Sequence, residues 1–106
     1  MNELLTAQVK RKLNITWTDE DTNARVAEII ASAVPYLLHR LGIADPDFDF
    51  SEPGLENTLF LAWCLYEYNH CVNEFDDNYS NLIATVRAVH EVKYYQENEV
   101  DADGET

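Results

Sequence analysis

Apolar residues recur along most of this chain at intervals of three and four, the spacing of one face of an α-helix. Leu4, Leu5, Val9 and Leu13 predict a short first helix over Glu3–Leu13, with Lys10, Arg11 and Lys12 in its last turn, where cations complement the helix dipole. A loop, Asn14–Thr18, carries Ile15 and Trp17. Thr18 is the expected cap of a second helix, with Asp21 three residues on in a box-like arrangement. Val26, Ile29, Ile30, Ala33, Leu37 and Leu41 then form one stripe that Gly42 ends. Pro35 removes a backbone donor inside that stripe and predicts a kink near Ala31–Val34.

After an acidic loop, Ile43–Phe50, Ser51 is the expected cap of a third helix with Pro53 in its first turn, running to about Asn73. Phe50 and Leu55 hold the positions of a hydrophobic staple. From Leu59 to Tyr66 this helix is apolar on every side, so it needs cover all round. Three other short helices offer too little cover, so part of that surface is expected to meet a neighbouring subunit. A turn over Glu74–Asn78 leads to a fourth helix with Tyr79, Leu82, Ile83, Val86, Val89 and Lys93 as its inner stripe. The pattern predicts an all-α bundle of about four helices over residues 1–96. Residues 97–106, polar and acidic, are expected to form a disordered tail.

Composition narrows the function. The chain has 106 residues, enough for one domain, and only three Gly and three Pro, which favours helices. Its 20 acidic and 7 basic residues give a formal net charge of −13. Residues 1–44 hold five of each sign, so the whole deficit lies after them. A surface this acidic repels phosphate, which disfavours duplex binding and docking on an anionic membrane and suits a basic partner. Cys64 and Cys71 would lie about 10 Å apart on a helix, beyond the reach of a disulfide. Free thiols point to a reducing compartment. Asn2–Ala7 has neither a basic start nor a long apolar stretch, so no secretory leader is expected, and the longest apolar run is too short to span a bilayer.

The chemistry-bearing residues make few patterns. Glu67 and His70 stand at the spacing used in di-iron bundles, but those sites need two such motifs and two further glutamates, and one copy is present. Cys64, His70 and Cys71 lack the paired knuckles of a zinc site. His39 and His90 are expected to be surface or packing residues, and no local signature supports a Cys–His nucleophile at Cys71. The three glycines are too scattered for a phosphate loop. Tyr66, Tyr68, Asn69 and Tyr79 fit a polar seam between the third and fourth helices better than a base-stacking platform, given the charge. No enzyme activity, cofactor or metal is expected.

One larger pattern stands out. Leu4-Leu5, Val9-Lys10 and Leu13-Asn14-Ile15 precede the acidic start Thr18–Asp21 and then Ile29-Ile30-Ala31, Val34, Tyr36 and Leu37. Trp63, Leu65–Asn69, Phe75, Asn78-Tyr79, Leu82-Ile83 and Arg87 follow. Over roughly residues 4–95 this resembles the small helical head–tail connector (adaptor) proteins of siphophages and their prophages. The resemblance implies a four-helix subunit, no catalytic residues, and a closed ring, usually dodecameric, docked under the portal vertex. DNA would pass through the lumen without sequence-specific binding, and a stopper or tail-completion protein would bind the far face. The protein would sit in the host cytoplasm during assembly and at the head–tail junction of the virion. The residues expected at subunit or partner contacts are Lys10, Arg11, Lys12, Trp17, Phe60, Trp63 and Tyr95.

Copies at −13 each repel, so assembly is expected to need salt, divalent cations or the portal itself. The competing reading is an acidic DNA mimic that occupies the basic groove of a nucleic-acid-binding partner. A mimic needs carboxylates in a regular exposed row, whereas here they fall in loops, helix starts and a tail.

Overall fold

The periodic segments fold as helices. The computed structural model describes residues 3–105, with side-chain surroundings for 3–96. Helix α1 spans Glu3–Lys12, α2 Glu20–Arg40, α3 Leu55–Tyr68 and α4 Phe75–Glu105, with one 3-10 turn, Val72–Glu74, before α4. No strand occurs among the described residues. The all-α bundle of four helices therefore holds. The acidic tail expected over 97–106 lies outside the residues described in full.

α1, α2 and α3 end in one way. At each end a residue in the left-handed region (Asn14 at φ 59°, Gly42 at 67°, His70 at 59°) reverses the chain. The next residue's N–H then reaches back five positions: Ile15 to Lys10 O, Ile43 to Leu38 O and Cys71 to Tyr66 O, each at 2.9 Å. This is the Schellman arrangement, which satisfies carbonyls that the helix leaves open. Ile15 and Ile43 drop into the core directly after the turn, so each stop also anchors the following loop.

The helix starts differ from expectation. Asp19, not Thr18, caps α2, its carboxylate accepting from Thr22 N–H at 2.7 Å. That backbone bond holds the Asp19 carboxyl below its ordinary value. Gly54, not Ser51, precedes α3, with φ 155°, a backbone that suits glycine. Ser51 is buried in the preceding loop, where its N–H donates to Asp49 Oδ1 at 2.9 Å. The staple does not form: Leu55 is exposed, and Phe50 packs on Phe60 instead, ring centroids 4.8 Å apart. α2 continues across Pro35 as one helix. α4 begins at Phe75 inside the expected turn, and Tyr79 (φ −119°, ψ 15°) marks a kink where the sequence places the helix start.

α3 lies at the centre and touches α1, α2 and α4. Leu59, Phe60, Ala62, Trp63 and Cys64 are all buried. Tyr36 of α2 stacks on Trp63 at 5.6 Å, Phe75 of α4 meets the edge of Tyr66, and Phe50 covers Phe60. The expected shortage of cover is therefore corrected. The missing cover comes from the acidic loop: Phe48 packs against the core and Phe50 is buried within it, while Asp45, Asp47 and Asp49 stay exposed. Asp45 accepts from Asp47 N–H at 2.8 Å, one of the side-chain turns that let so polar a loop fold back.

Candidate interaction site

The expected contact residues fall into three places. Phe60 is 0% exposed and Trp63 6%, so both belong to the chain's own core and are unavailable to a partner. Placing them at a contact is corrected for the same reason as the missing cover. A loop that reads as polar supplies aromatic rings.

Lys10, Arg11 and Lys12 remain at the surface. Lys10 is half-buried and donates to Asn23 Oδ1 at 2.7 Å, tying α1 to the first turn of α2. On the same edge Trp17 is largely exposed, its indole N–H donating to Thr22 Oγ1 at 2.8 Å. Arg11 and Lys12 are exposed and, with Gln8, Asn57 and Leu61, line an open groove of about 410 Å³. The groove is structured from below: Asn57 Nδ2 donates to Gln8 Oε1 at 2.9 Å and to Phe50 O at 2.8 Å. No ion pair engages Arg11 or Lys12 among the described residues, whereas Arg40 pairs with Asp76 and Arg87 with Glu91.

Tyr95 lies far from both groups, on the last third of α4. The inner stripe of that helix stops early. Ile83 and Val86 are buried, but Val89 is 60% exposed and Lys93 is exposed, contrary to expectation. From Glu91 to Gln96 every residue is exposed, including Val92, Tyr94 and Tyr95, the last at 66%. The reason is geometric. Two polar contacts fasten α4 to the bundle just before this point, and beyond them only the end of α2 and the loop after it lie alongside, lining open pockets with Lys93, Tyr94 and Tyr95 without burying them. Arg87 Nη1 donates to the carbonyls of His39 (3.3 Å) and Arg40 (3.0 Å), closing the C-terminus of α2 with a charge of the favourable sign. His90 Nε2 meets Glu56 Oε2 at 2.8 Å, and its ring meets the edge of Phe48. Sequence reasoning missed both fasteners. From the sequence His90 reads only as a surface or packing residue, and nothing local marks Arg87 as a partner of α2.

The other titratable groups serve structure. Burial pushes the Cys64 thiol up to about 12, with the Glu67 charge adding to it, so this cysteine is an inert packing group. Burial also raises Tyr36, helped by its bond to Asp76, and Tyr79. His70 serves as the turn that stops α3, and among the described residues no group of three His, Cys, Asp or Glu is placed to hold a metal ion. No described helix is long and apolar enough to cross a membrane. Comparison with family models, curated proteins and solved structures finds no match to this chain.

Proposed function

We propose that this chain is a structural assembly protein of the head–tail connector type, acting as one subunit of a ring on the portal vertex. The observation that carries the reading is the end of α4. Val89, Val92, Tyr94 and Tyr95 expose apolar surface along the outer part of α4, and such surface is the usual mark of a protein–protein contact. The pattern of residues 4–95 that resembles connector proteins agrees with a four-helix subunit. In this reading the ring admits DNA through its lumen and passes it to a stopper or tail-completion protein. Net negative charge would keep that DNA from adhering.

Four of the 20 acidic residues weigh against the DNA-mimic alternative, because they are already occupied locally. Asp19 caps α2, Asp49 holds Ser51, Asp76 meets Tyr36 and Arg40, and Glu56 holds His90. Side chains spent on turns and caps do not form a phosphate-like row. Size-exclusion chromatography with light scattering, run alone and with a portal protein, tests the proposal. The expected result is a ring on the portal. A chain that stays monomeric, ignores the portal and captures a basic nuclease would overturn it.

A further inference from the structure

The cationic groove lies beside the first half of α3, and the acidic end of the chain projects beyond the start of α3; the packing fixes this. Gln8 bonds Asn57 near the start of α3, and Arg11 and Lys12 share a groove with Leu61 one turn further on, so α1 runs alongside α3 in the same direction. α4 runs the other way: Tyr66 at the end of α3 meets Phe75, and Glu56 at its start meets His90. α4 therefore leaves the bundle pointing away from the cations. From Arg87 to Glu105 its backbone rises about 27 Å at 1.5 Å per residue. The molecule is accordingly long, 58 × 29 × 19 Å.

Charge follows the same axis. After Lys93 the sequence holds no cation, and Glu97, Glu99, Asp101, Asp103 and Glu105 follow at every second position. Beside the first half of α3 Arg11 and Lys12 are exposed, with no ion pair among the described residues. The helix that carries the chain's own acidic end leads it away from its own groove. A second copy can supply it.

We propose that the acidic end of α4 in one copy docks in the groove formed by Gln8, Arg11, Lys12, Asn57 and Leu61 of the next copy. The contact rests on the assembly reading and names the surfaces through which copies meet. It is head-to-tail, since each copy offers one acidic end and one groove. Such contacts form rings when the rotation between copies closes and filaments when it does not. The exposed apolar residues just before the acidic end, Val92 and Tyr95, would then lie against the groove's Leu61 and the aliphatic stems of its cations.

Two electrostatic effects compete, and salt separates them. The net charge of −13 repels copies over the whole length of the molecule, while the contact between acidic end and groove attracts over a few ångströms. Charges are screened beyond about 30 Å at 0.01 M, 10 Å at 0.1 M and 3 Å at 1 M ionic strength. Association is therefore weak at 0.01 M, strongest near 0.1 M, and weak again at 1 M.

The test uses the full chain and two variants, R11Q/K12Q and E97Q/E99Q/D101N/D103N, studied by light scattering and sedimentation across this salt range. Both variants alter exposed or terminal positions, and circular dichroism checks that each stays folded. Expected are a maximum in wild-type association near 0.1 M and a loss of at least tenfold in each variant alone. A mixture of the two should form a 1:1 pair and nothing larger, because only one complementary contact remains. Variants that associate as tightly as wild type, or association that rises steadily to 1 M salt, would overturn the contact between acidic end and groove and leave portal binding intact as a separate question. Wild type that stays monomeric at every salt concentration also overturns it, and the portal experiment then decides the assembly reading by itself.

Discussion

Leu59–Tyr66 in α3 and Val89–Tyr95 in α4 have opposite fates. The first is apolar all round and is covered by α1, α2, α4 and the two phenylalanines of the 45–50 loop. The second is a mixed segment with two valines and two tyrosines, and apart from His90 it is exposed. Apolar density along the chain therefore does not locate the exposed apolar surface. What decides is whether other elements reach. α3 is 14 residues long and sits between partners on every side, whereas α4 is 31 residues long and outruns the bundle after Arg87 and His90 fasten it.

The largest expected effect tests that contrast directly. Phe60→Ala removes a fully buried ring, and the cost in urea unfolding is expected to be about 3–5 kcal/mol. Tyr95→Ala, on a residue 66% exposed, is expected to change stability by less than about 0.5 kcal/mol while weakening association between copies. If Phe60→Ala cost as little as Tyr95→Ala, the enclosure of α3 would be wrong and a subunit contact through Phe60 would return.

The same contrast marks what the sequence reveals. Helix existence follows from periodicity: Val26, Ile29, Ile30, Ala33 and Leu37 are buried as their spacing predicts, and Gly42 stops α2 as expected. Cap identity is harder to read, because Thr18 and Asp19 are both good caps one residue apart and the chain's approach chooses between them. Ser51 is chosen by the loop instead of the helix. The fate of Phe48 and Phe50 is not legible locally. Alternation of Asp and Phe says only that one face is polar, and its apolar face finds the core through contacts distant in sequence. The stripe on α4 fails for a related reason, since periodicity predicts a face and not where the covering elements end. Of the residues expected at contacts, Arg11, Lys12, Trp17 and Tyr95 are exposed, Lys10 is half-buried, and Phe60 and Trp63 are buried.

Cys64 sharpens the enclosure of α3 through pH. Its thiol is held near 12 in the fold, against an ordinary value near 9. The folded state therefore keeps a proton that the unfolded chain releases above pH 9. The stabilisation is complete below pH 9 and is lost as pH rises toward 12. The expected slope is about 1.4 kcal/mol per pH unit in that window. The raised tyrosines, Tyr36 and Tyr79, start from an ordinary value of 10.0 and add to the slope as pH nears 10, so the part that belongs to Cys64 is the difference between wild type and a variant without the thiol. Urea unfolding of wild type and Cys64→Ala at pH 8, 9 and 10 measures it. Two curves that stay parallel from pH 8 to 10 would mean that water reaches this thiol and that α3 is less closed than its packing indicates.

The smallest effect concerns how α3 is released into α4. Asn14, Gly42 and His70 occupy the same left-handed turn, but only Gly42 does so without a side-chain penalty. Gly42→Ala adds that penalty and brings a Cβ to 3.4 Å from Arg87 Cγ, against the side chain that closes α2. The expected loss is about 1–2 kcal/mol. His70→Gly works in the opposite sense. His70 is exposed and its backbone at φ 59° serves only the turn, so glycine relieves the strain at some cost in unfolded-state entropy. The expected net gain is about 0.5–1 kcal/mol in thermal or urea unfolding. The two substitutions together separate backbone from side chain. A loss at Gly42 with no gain at His70 would mean that the imidazole itself holds the α3–α4 turn, and the three helix ends would then share a shape without sharing a cause.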